Sequence, residues 1–526
     1  MERFFNTAGP IKTDIHYYVP MEQRWDFEQV MMLIQQQKYF ILHAPRQTGK
    51  TSSILSLADY LNEQGDYEAV YANVEPAQAA REDVDAAMLA ITGSIASAHR
   101  YHTQTEVLED TWREIFDKSQ GHRALEKLLS FWSEAADKPV VLILDEVDAL
   151  IGDTLISLLR QIRSGYQSRP QRFPSSIILC GVRDVRDYRI HSSRSQEIIT
   201  GGSAFNIKAE SLRMENFSKA QVAYLYQQHT EHTGQVWEEG ILDLAWHYTA
   251  GQPWLVNALA YEITYNMRPY RDRSKLITVE AFREAKERLI QRRDTHLDQL
   301  IDKLREDRVR RVIAPLLGSE EINEAIPEGD LQYVIDLGLV HRGESRSIEI
   351  SNAIYQEIIP RELTYTTQVT MAQQQPAWYL RPDGSLDMPK LLAAFQDFFR
   401  KHSEHWIERF DYKEAGPQLL LQAFLQRIVN GGGRIEREYG FGRGRTDLFV
   451  EFFDHQGNTQ GIVLELKLLR GSLEATLAEG IPQTQAYLDQ CGAAEGHLII
   501  FDRDPQRKWE EKIWQRDVEG IQVWGA

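Results

Sequence analysis

Ala44-Pro45-Arg46-Gln47-Thr48-Gly49-Lys50-Thr51 follows directly on the apolar run Tyr39-Phe40-Ile41-Leu42 and leads into a helical pattern. A strand, a glycine-containing loop, a lysine, a hydroxyl residue and a helix, in that order, admit few folds. Backbone N–H groups of such a loop, backed by the positive end of the helix, face an anion. Pro45, Arg46, Gln47, Thr48 and Gly49 form the loop. Lys50 is expected to reach the β- and γ-phosphates of ATP, and the Thr51 hydroxyl to ligate Mg²⁺. The first glycine of the usual GxxxxGK[ST] pattern is replaced by Ala44, which is tolerable if that residue keeps a negative φ.

A second element completes the site. Val140-Val141-Leu142-Ile143-Leu144 is a buried-strand pattern that ends in Asp145 and Glu146. Ionised side chains are rarely buried unpaired, so packing alone explains this poorly. A strand end beside the phosphate loop is where Mg²⁺ needs a carboxylate. Asp145 is therefore assigned to the metal shell and Glu146 to polarising the attacking water.

Short apolar runs alternate with longer helical patterns up to about Thr200. Tyr39–His43, Ala69–Asn73, Val140–Leu144 and Ser176–Cys180 are the strand candidates, and the alternation predicts a parallel sheet covered by helices. The expected organisation is an ATPase core over residues 1–203 and a helical lid over 204–311. A winged helix over 312–363, a polar linker over 364–389 and a separate α/β domain over 390–526 follow. The candidate recognition helix, Asp330 to Asp336, carries acids and no Lys or Arg. That argues for an intramolecular role over DNA reading.

Asp145-Glu146-Val147-Asp148, Cys180-Gly181-Val182-Arg183-Asp184 and Gly251-Gln252-Pro253 together resemble the STAND-type, archaeal-ATPase-like branch of the AAA+ NTPases. The resemblance covers roughly residues 1 to 360. It implies that Arg183 reads the γ-phosphate and that Gly251 and Pro253 approach the nucleotide base. A surface arginine and a simple helix break are the plainer readings of the same residues.

The last domain carries a second constellation. Asp447 heads the apolar strand Leu448-Phe449-Val450, and after a turn at Asp454 to Asn458 comes Gly461-Ile462-Val463-Leu464-Glu465-Leu466-Lys467. A hairpin of this length can set Asp447 beside Glu465, and strand alternation puts Glu465 and Lys467 on one face. Two carboxylates and a lysine suit Mg²⁺-assisted phosphodiester hydrolysis. This pattern resembles the PD-(D/E)XK nuclease superfamily. The resemblance implies a Mg²⁺ or Mn²⁺ ion held by Asp447, Glu465 and the Leu466 carbonyl, with Glu414 upstream; Glu438 competes for that last place, and a solvated helix residue is the plainer reading of Glu414. The resemblance also matches Gln483 and Tyr487 to the Gln-x-x-x-Tyr element of some branches. Arg443 and Arg445 are either a phosphate clamp or solubilising charge in a Gly-rich loop.

The expected function is an ATP-regulated, Mg²⁺-dependent nuclease, DNA in preference to RNA, in a prokaryotic defence setting, with a homo-oligomer formed through the ATPase lobe. The alternative is an ATP-dependent DNA-binding or loading factor with a non-catalytic nuclease fold. A formal charge of −18 argues against broad nonspecific nucleic-acid binding but leaves room for a local basic channel. Two distant cysteines without ligand spacing argue against a disulfide scaffold or zinc site, so a cytoplasmic setting is expected. No apolar run spans a bilayer and no signal pattern is present, so no membrane partner is expected.

Overall fold

The computed structural model describes residues 2–182, 189–191, 198–200, 208–292, 302–317, 326–343, 347–371, 379–407, 416–430, 433–439, 446–469, 471–504 and 506–526. The chain forms two compact units. One is Met1–Gln291 with Asp336–Gly338, the other Arg292–Ile335 with Leu339–Ala526.

The first unit is built on a five-stranded parallel sheet. Its spatial order is Glu68–Asn73, Val140–Asp145, Ser176–Gly181, Tyr39–His43, Lys208–Arg213. The first four coincide, within a residue at either end, with the apolar runs of the sequence. Their side chains serve both faces alternately, as a sheet buried on two sides requires. Tyr39, Ile41, Leu142 and Leu144 pack with Ile91, Leu128, Trp132 and Leu158. Phe40, Leu42, Val141 and Ile143 pack with Ile54, Leu57 and Leu61 of the opposite layer.

The fifth strand corrects the expectation that residues 204–311 are almost all helical. Lys208–Arg213 pairs in parallel with Tyr39–His43. It lies at the sheet edge, and it mixes charged and apolar residues. Such a strand lacks the continuous apolar run that marks its buried neighbours. Helices then follow at Lys219–Thr233, Ile241–Thr249, Pro253–Tyr261 and Val279–Arg292. The first opens on a capping box, in which Ser218 and Gln221 satisfy each other's backbone N–H.

Gly251 and Pro253 divide the second and third of these helices. Gly251 has φ +71°, and a Cβ there would lie 1.9 Å from the Phe217 carbonyl oxygen. The Phe217 N–H in turn donates to the Gly251 carbonyl at 2.8 Å. Gly251→Ala is therefore expected to cost at least about 2 kcal/mol from left-handed strain and steric overlap. Thermal denaturation checks this, and an unchanged melting temperature would refute the close approach.

Beyond residue 292, helices Asp307–Leu317 and Glu328–Asp336 precede an antiparallel hairpin of Val340–Arg342 and Ile348–Ile350. The basic run at 308–311 is engaged locally. Arg311 donates to Asp330 at 2.6 and 2.8 Å, and the Arg308 guanidinium lies 3.6 Å over the Tyr333 ring. A helix then runs from Ala353 to Met371, so it continues into the segment read as a linker.

The rest of the second unit is a six-stranded mixed sheet. Its order is Arg434–Tyr439, Thr446–Phe453, Thr459–Leu468, Glu495–Phe501, Ile521–Gly525, Trp514–Val518. The first three strands are antiparallel neighbours. Thr459–Leu468 then pairs in parallel with Glu495–Phe501. Parallel neighbours need a crossover, and helix Leu473–Cys491 supplies it. Helix Met388–Ile407 is pinned to the far edge of the sheet by Gln396, whose amide donates to the carbonyls of Trp514 and Gly525. Among the described residues no helix is long and apolar enough to cross a membrane.

Candidate functional site

The loop between strand Tyr39–His43 and helix Lys50–Gln64 has the backbone an anion cradle needs. Gly49 adopts φ +87° with open space where a Cβ would stand, so conformation rather than crowding selects glycine. Gln47 is also left-handed at φ +58°, while Ala44 is not among the positive-φ residues. The alanine thus fits where the pattern usually has glycine. Thr48 closes the loop on itself through its hydroxyl, which donates to the Pro45 carbonyl at 2.8 Å.

Lys50 is 7% exposed, and its Nζ lies 3.6 Å from Asp145 Oδ1 and 4.0 Å from Glu146 Oε1. Burial opposes its charge, but Asp145 and Glu146 outweigh that and hold its pKa above the ordinary lysine value. The Thr51 hydroxyl donates to Asp145 Oδ2 at 2.9 Å. Thr51 and Asp145 thus meet at one point and offer the hard oxygen pair that Mg²⁺ takes. Glu146 is left-handed at φ +59°, a strained conformation for this residue type that costs about 1–2 kcal/mol. Its carboxyl is raised by burial against the pull of Lys50, which suits a group that must accept a proton. Arg183 lies outside the described residues. Gly251 and Pro253 form the turn described above, and Gln252 between them reaches the loop, its amide 3.5 Å from the Gln47 carbonyl.

In the second unit the hairpin brings the predicted residues together. The register pairs Leu448 with Leu464, so Asp447 stands opposite Glu465 one step on. Asp447 Oδ2 accepts the Leu466 N–H at 2.8 Å, so the observed contact to Leu466 uses its N–H. Lys467 Nζ is 3.4 Å from Glu465 Oε1, 3.1 Å from Glu479 Oε1 and 2.8 Å from Gln483 Oε1. The Gln483 amide donates to the Tyr487 hydroxyl at 2.8 Å. Glu465, Lys467, Gln483 and Tyr487 therefore form one linked set, with Asp447 beside it.

Glu465 is 1% exposed, and its Oε2 has no hydrogen-bond partner. Burial first, then the neighbouring Asp447 charge, push its pKa up to about 9 against the pull of Lys467. Lys467 is itself raised: burial works against its charge, but Glu465, Glu479 and Asp447 prevail. The two shifts are linked. A buried carboxyl oxygen without a partner beside a second carboxylate fits a divalent cation. Among the described residues no three side chains of metal-ligand type converge. Glu414, Arg443 and Arg445 lie outside the described residues.

Phosphate loop, buried lysine, and a hydroxyl joined to a strand-end carboxylate on a parallel sheet define a P-loop ATPase. The model of the AAA-like domain family matches residues 6–357, and the chain belongs to that family. No curated protein matches the sequence. Among solved structures, a Walker-type ATPase of Pyrococcus abyssi is 12% identical. It covers 68% of this chain and 99% of its own, with a TM-score of 0.46. Cdc6p from Pyrobaculum aerophilum is 16% identical over 66% of this chain and 96% of its own, TM-score 0.34. The RuvB Holliday junction branch migration motor of Thermotoga maritima is 12% identical over 68% and 99%, TM-score 0.33.

Four residues of these sites were given no role by the motifs of the sequence. The Tyr71 hydroxyl donates to Asp145 Oδ2 at 3.3 Å. Arg24 and Gln252 grip the phosphate loop from behind, and Glu479 holds Lys467. Only Glu479 had a readable signal, four residues before Gln483 on the same helix face. The others depend on contacts between segments far apart in sequence.

Proposed function

We propose that this ATPase is joined to a PD-(D/E)XK-like nuclease domain, and that the nucleotide state controls Mg²⁺-dependent cleavage of nucleic acid. One observation carries the reading: Glu465, Lys467, Gln483 and Tyr487 form a linked set beside Asp447. A charged edge-strand pair would not need a glutamine and a tyrosine from the crossover helix.

In this reading Asp447, Glu465 and the Leu466 carbonyl hold the ion. A bound Mg²⁺ supplies positive charge at the phosphodiester and acidifies water. Lys467 steadies charge that develops on the phosphate and orients the water. Gln483, fixed by Tyr487, keeps the Lys467 ammonium in place. At the first site Glu146 accepts the proton of the water that attacks the γ-phosphate, while Lys50 balances the phosphate charge. Assembly through the ATPase lobe, DNA as the preferred substrate, a cytoplasmic setting and a role in defence complete the proposal.

The test is an assay of plasmid DNA and RNA with Mg²⁺ or Mn²⁺, with and without ATP. Lys467→Ala is expected to abolish metal-dependent cleavage and to leave ATP binding intact. Cleavage that persists in a clean preparation of this variant would remove the assignment. Salt-sensitive DNA binding with no cleavage by the wild type would favour a loading factor with a non-catalytic nuclease fold.

A further inference from the structure

Arg24 lies just before helix Phe27–Gln35, far in sequence from the phosphate loop, and it is 7% exposed. Its Nη2 donates to the Thr48 carbonyl at 2.9 Å and to the Glu215 carbonyl at 3.0 Å. The guanidinium also lies 4.5 Å over the Phe217 ring. Glu215 and Phe217 belong to the connector between the edge strand and the lid helices. Phe217 is bonded in turn to the lid turn at Gly251. From that turn Gln252 reaches the Gln47 carbonyl, while its own side-chain oxygen caps the following helix through Leu255 N–H at 2.6 Å.

Two consecutive peptides of the phosphate loop are thus held by their carbonyls, Gln47–Thr48 by Gln252 and Thr48–Gly49 by Arg24. A trans peptide is planar, and its C=O and N–H point in opposite directions. A grip on the carbonyl therefore fixes where the N–H of the next residue points. Among the described residues neither the Thr48 nor the Gly49 N–H donates to a protein acceptor. Backbone donors at such a place need a partner. A cationic donor on the carbonyl also polarises the peptide and strengthens its N–H as a donor. Burial brings the Arg24 pKa down to about 10, so the side chain stays charged at neutral pH.

We propose that Arg24 and Gln252 are positioning residues of the nucleotide site. By holding the carbonyls behind them they aim the Thr48 and Gly49 amides at the phosphates of ATP, and they join the cradle to the lid turn. Binding of the phosphates then stiffens the connector at Glu215 and Phe217, which gives the proposed switch a physical path from nucleotide to lid. This last step rests on the reading of the ATPase as a switch; the positioning role does not.

The test compares wild type, Arg24→Met, Arg24→Lys, Gln252→Leu and Lys50→Ala with fluorescent ATP and ADP analogues and with steady-state hydrolysis. Arg24→Met keeps the buried stem and removes every donor. It is expected to weaken ADP and ATP binding by about tenfold to a hundredfold, the range for a hydrogen bond from a charged donor. The loss should appear in KM, with kcat changed much less. Arg24→Lys, with one charged donor, should recover part of the affinity. Amide hydrogen exchange at residues 215–217 and 251–252 should slow on addition of ATP in the wild type and not in Arg24→Met. Wild-type affinity in a folded Arg24→Met protein overturns the positioning role. If Arg24→Met fails to fold, Gln252→Leu decides by the same readouts: a folded protein with wild-type affinity counts against the role, and a loss confined to KM supports it. Failure of the wild type itself to bind ATP, with Lys50→Ala indistinguishable from it, would instead count against the nucleotide site.

Discussion

Lys50→Ala is expected to abolish ATP hydrolysis and to weaken ATP binding by at least about a hundredfold, as loss of a buried cation at a phosphate site does. Lys50 is the positive charge held against Asp145 and Glu146, at 3.6 and 4.0 Å. Its removal takes away the phosphate counter-charge and leaves the two carboxylates facing each other in a partly buried site. The variant should therefore also be less stable without nucleotide, and the deficit should depend on pH. Glu146 already has a raised pKa from burial, and Lys50 is the group that lowers it. Without Lys50 it rises further. A raised carboxyl favours the folded state below its ordinary value and loses that advantage as pH rises. The deficit of Lys50→Ala should thus shrink as the pH is lowered from neutral. Phosphate release, nucleotide titration and melting curves at several pH values read all three effects. Hydrolysis at the wild-type rate by a pure variant would sink the role assigned to Lys50. Should cleavage by this variant become independent of ATP, the proposed control by the first site gains direct support.

The parts of this molecule that were readable in its sequence each have a cause local in the chain. Tyr39–His43, Val140–Asp145 and Ser176–Gly181 are continuous apolar runs because both faces of their sheet are covered. Asp447 and Glu465 could be paired because a hairpin turns short sequence distance into cross-strand contact. The Gln483–Tyr487 bond follows from i, i+4 spacing on a helix. Lys208–Arg213 was hidden because an edge strand need not be apolar. Arg24, Tyr71 and the loop contact of Gln252 were hidden for another reason. Each acts on a backbone or carboxyl group that is 24, 74 and 205 residues away, respectively, and no local pattern encodes such a partner. Gly251 shows the limit of motif reading from the other side. The turn was visible, but the demand for glycine comes from the Phe217 carbonyl, about 34 residues earlier in the chain.

Glu465→Gln is expected to raise stability and to remove cleavage together. Glu465 is almost fully buried, one of its oxygens has no partner, and its pKa is pushed up to about 9. In the unfolded chain the same carboxyl titrates near its ordinary value of about 4.5. Between those two values the folded state holds a proton that the unfolded state has lost, so the side chain costs stability that grows as pH rises. Below the ordinary value both states are protonated and the cost vanishes. Glutamine has nearly the same shape and carries no charge to bury. The variant should gain about 1–3 kcal/mol near pH 8, the scale set by an imperfectly satisfied buried polar group, and nothing below about pH 4.5. Melting curves from pH 4 to 9 measure this, and a pH-independent difference would contradict a buried, titrating carboxyl as the cause. Function pulls the other way. A neutral amide is a poor ligand for a hard divalent cation, so metal-dependent cleavage should fall by about a hundredfold or more. Divalent cation should stabilise the wild type increasingly as pH rises towards 9, because it competes with the proton on Glu465, and should do so far less in the variant. A carboxyl that lowers stability in this way beside Asp447 is what the proposed metal site calls for, and the opposite signs of the two effects in Glu465→Gln are the test of that proposal.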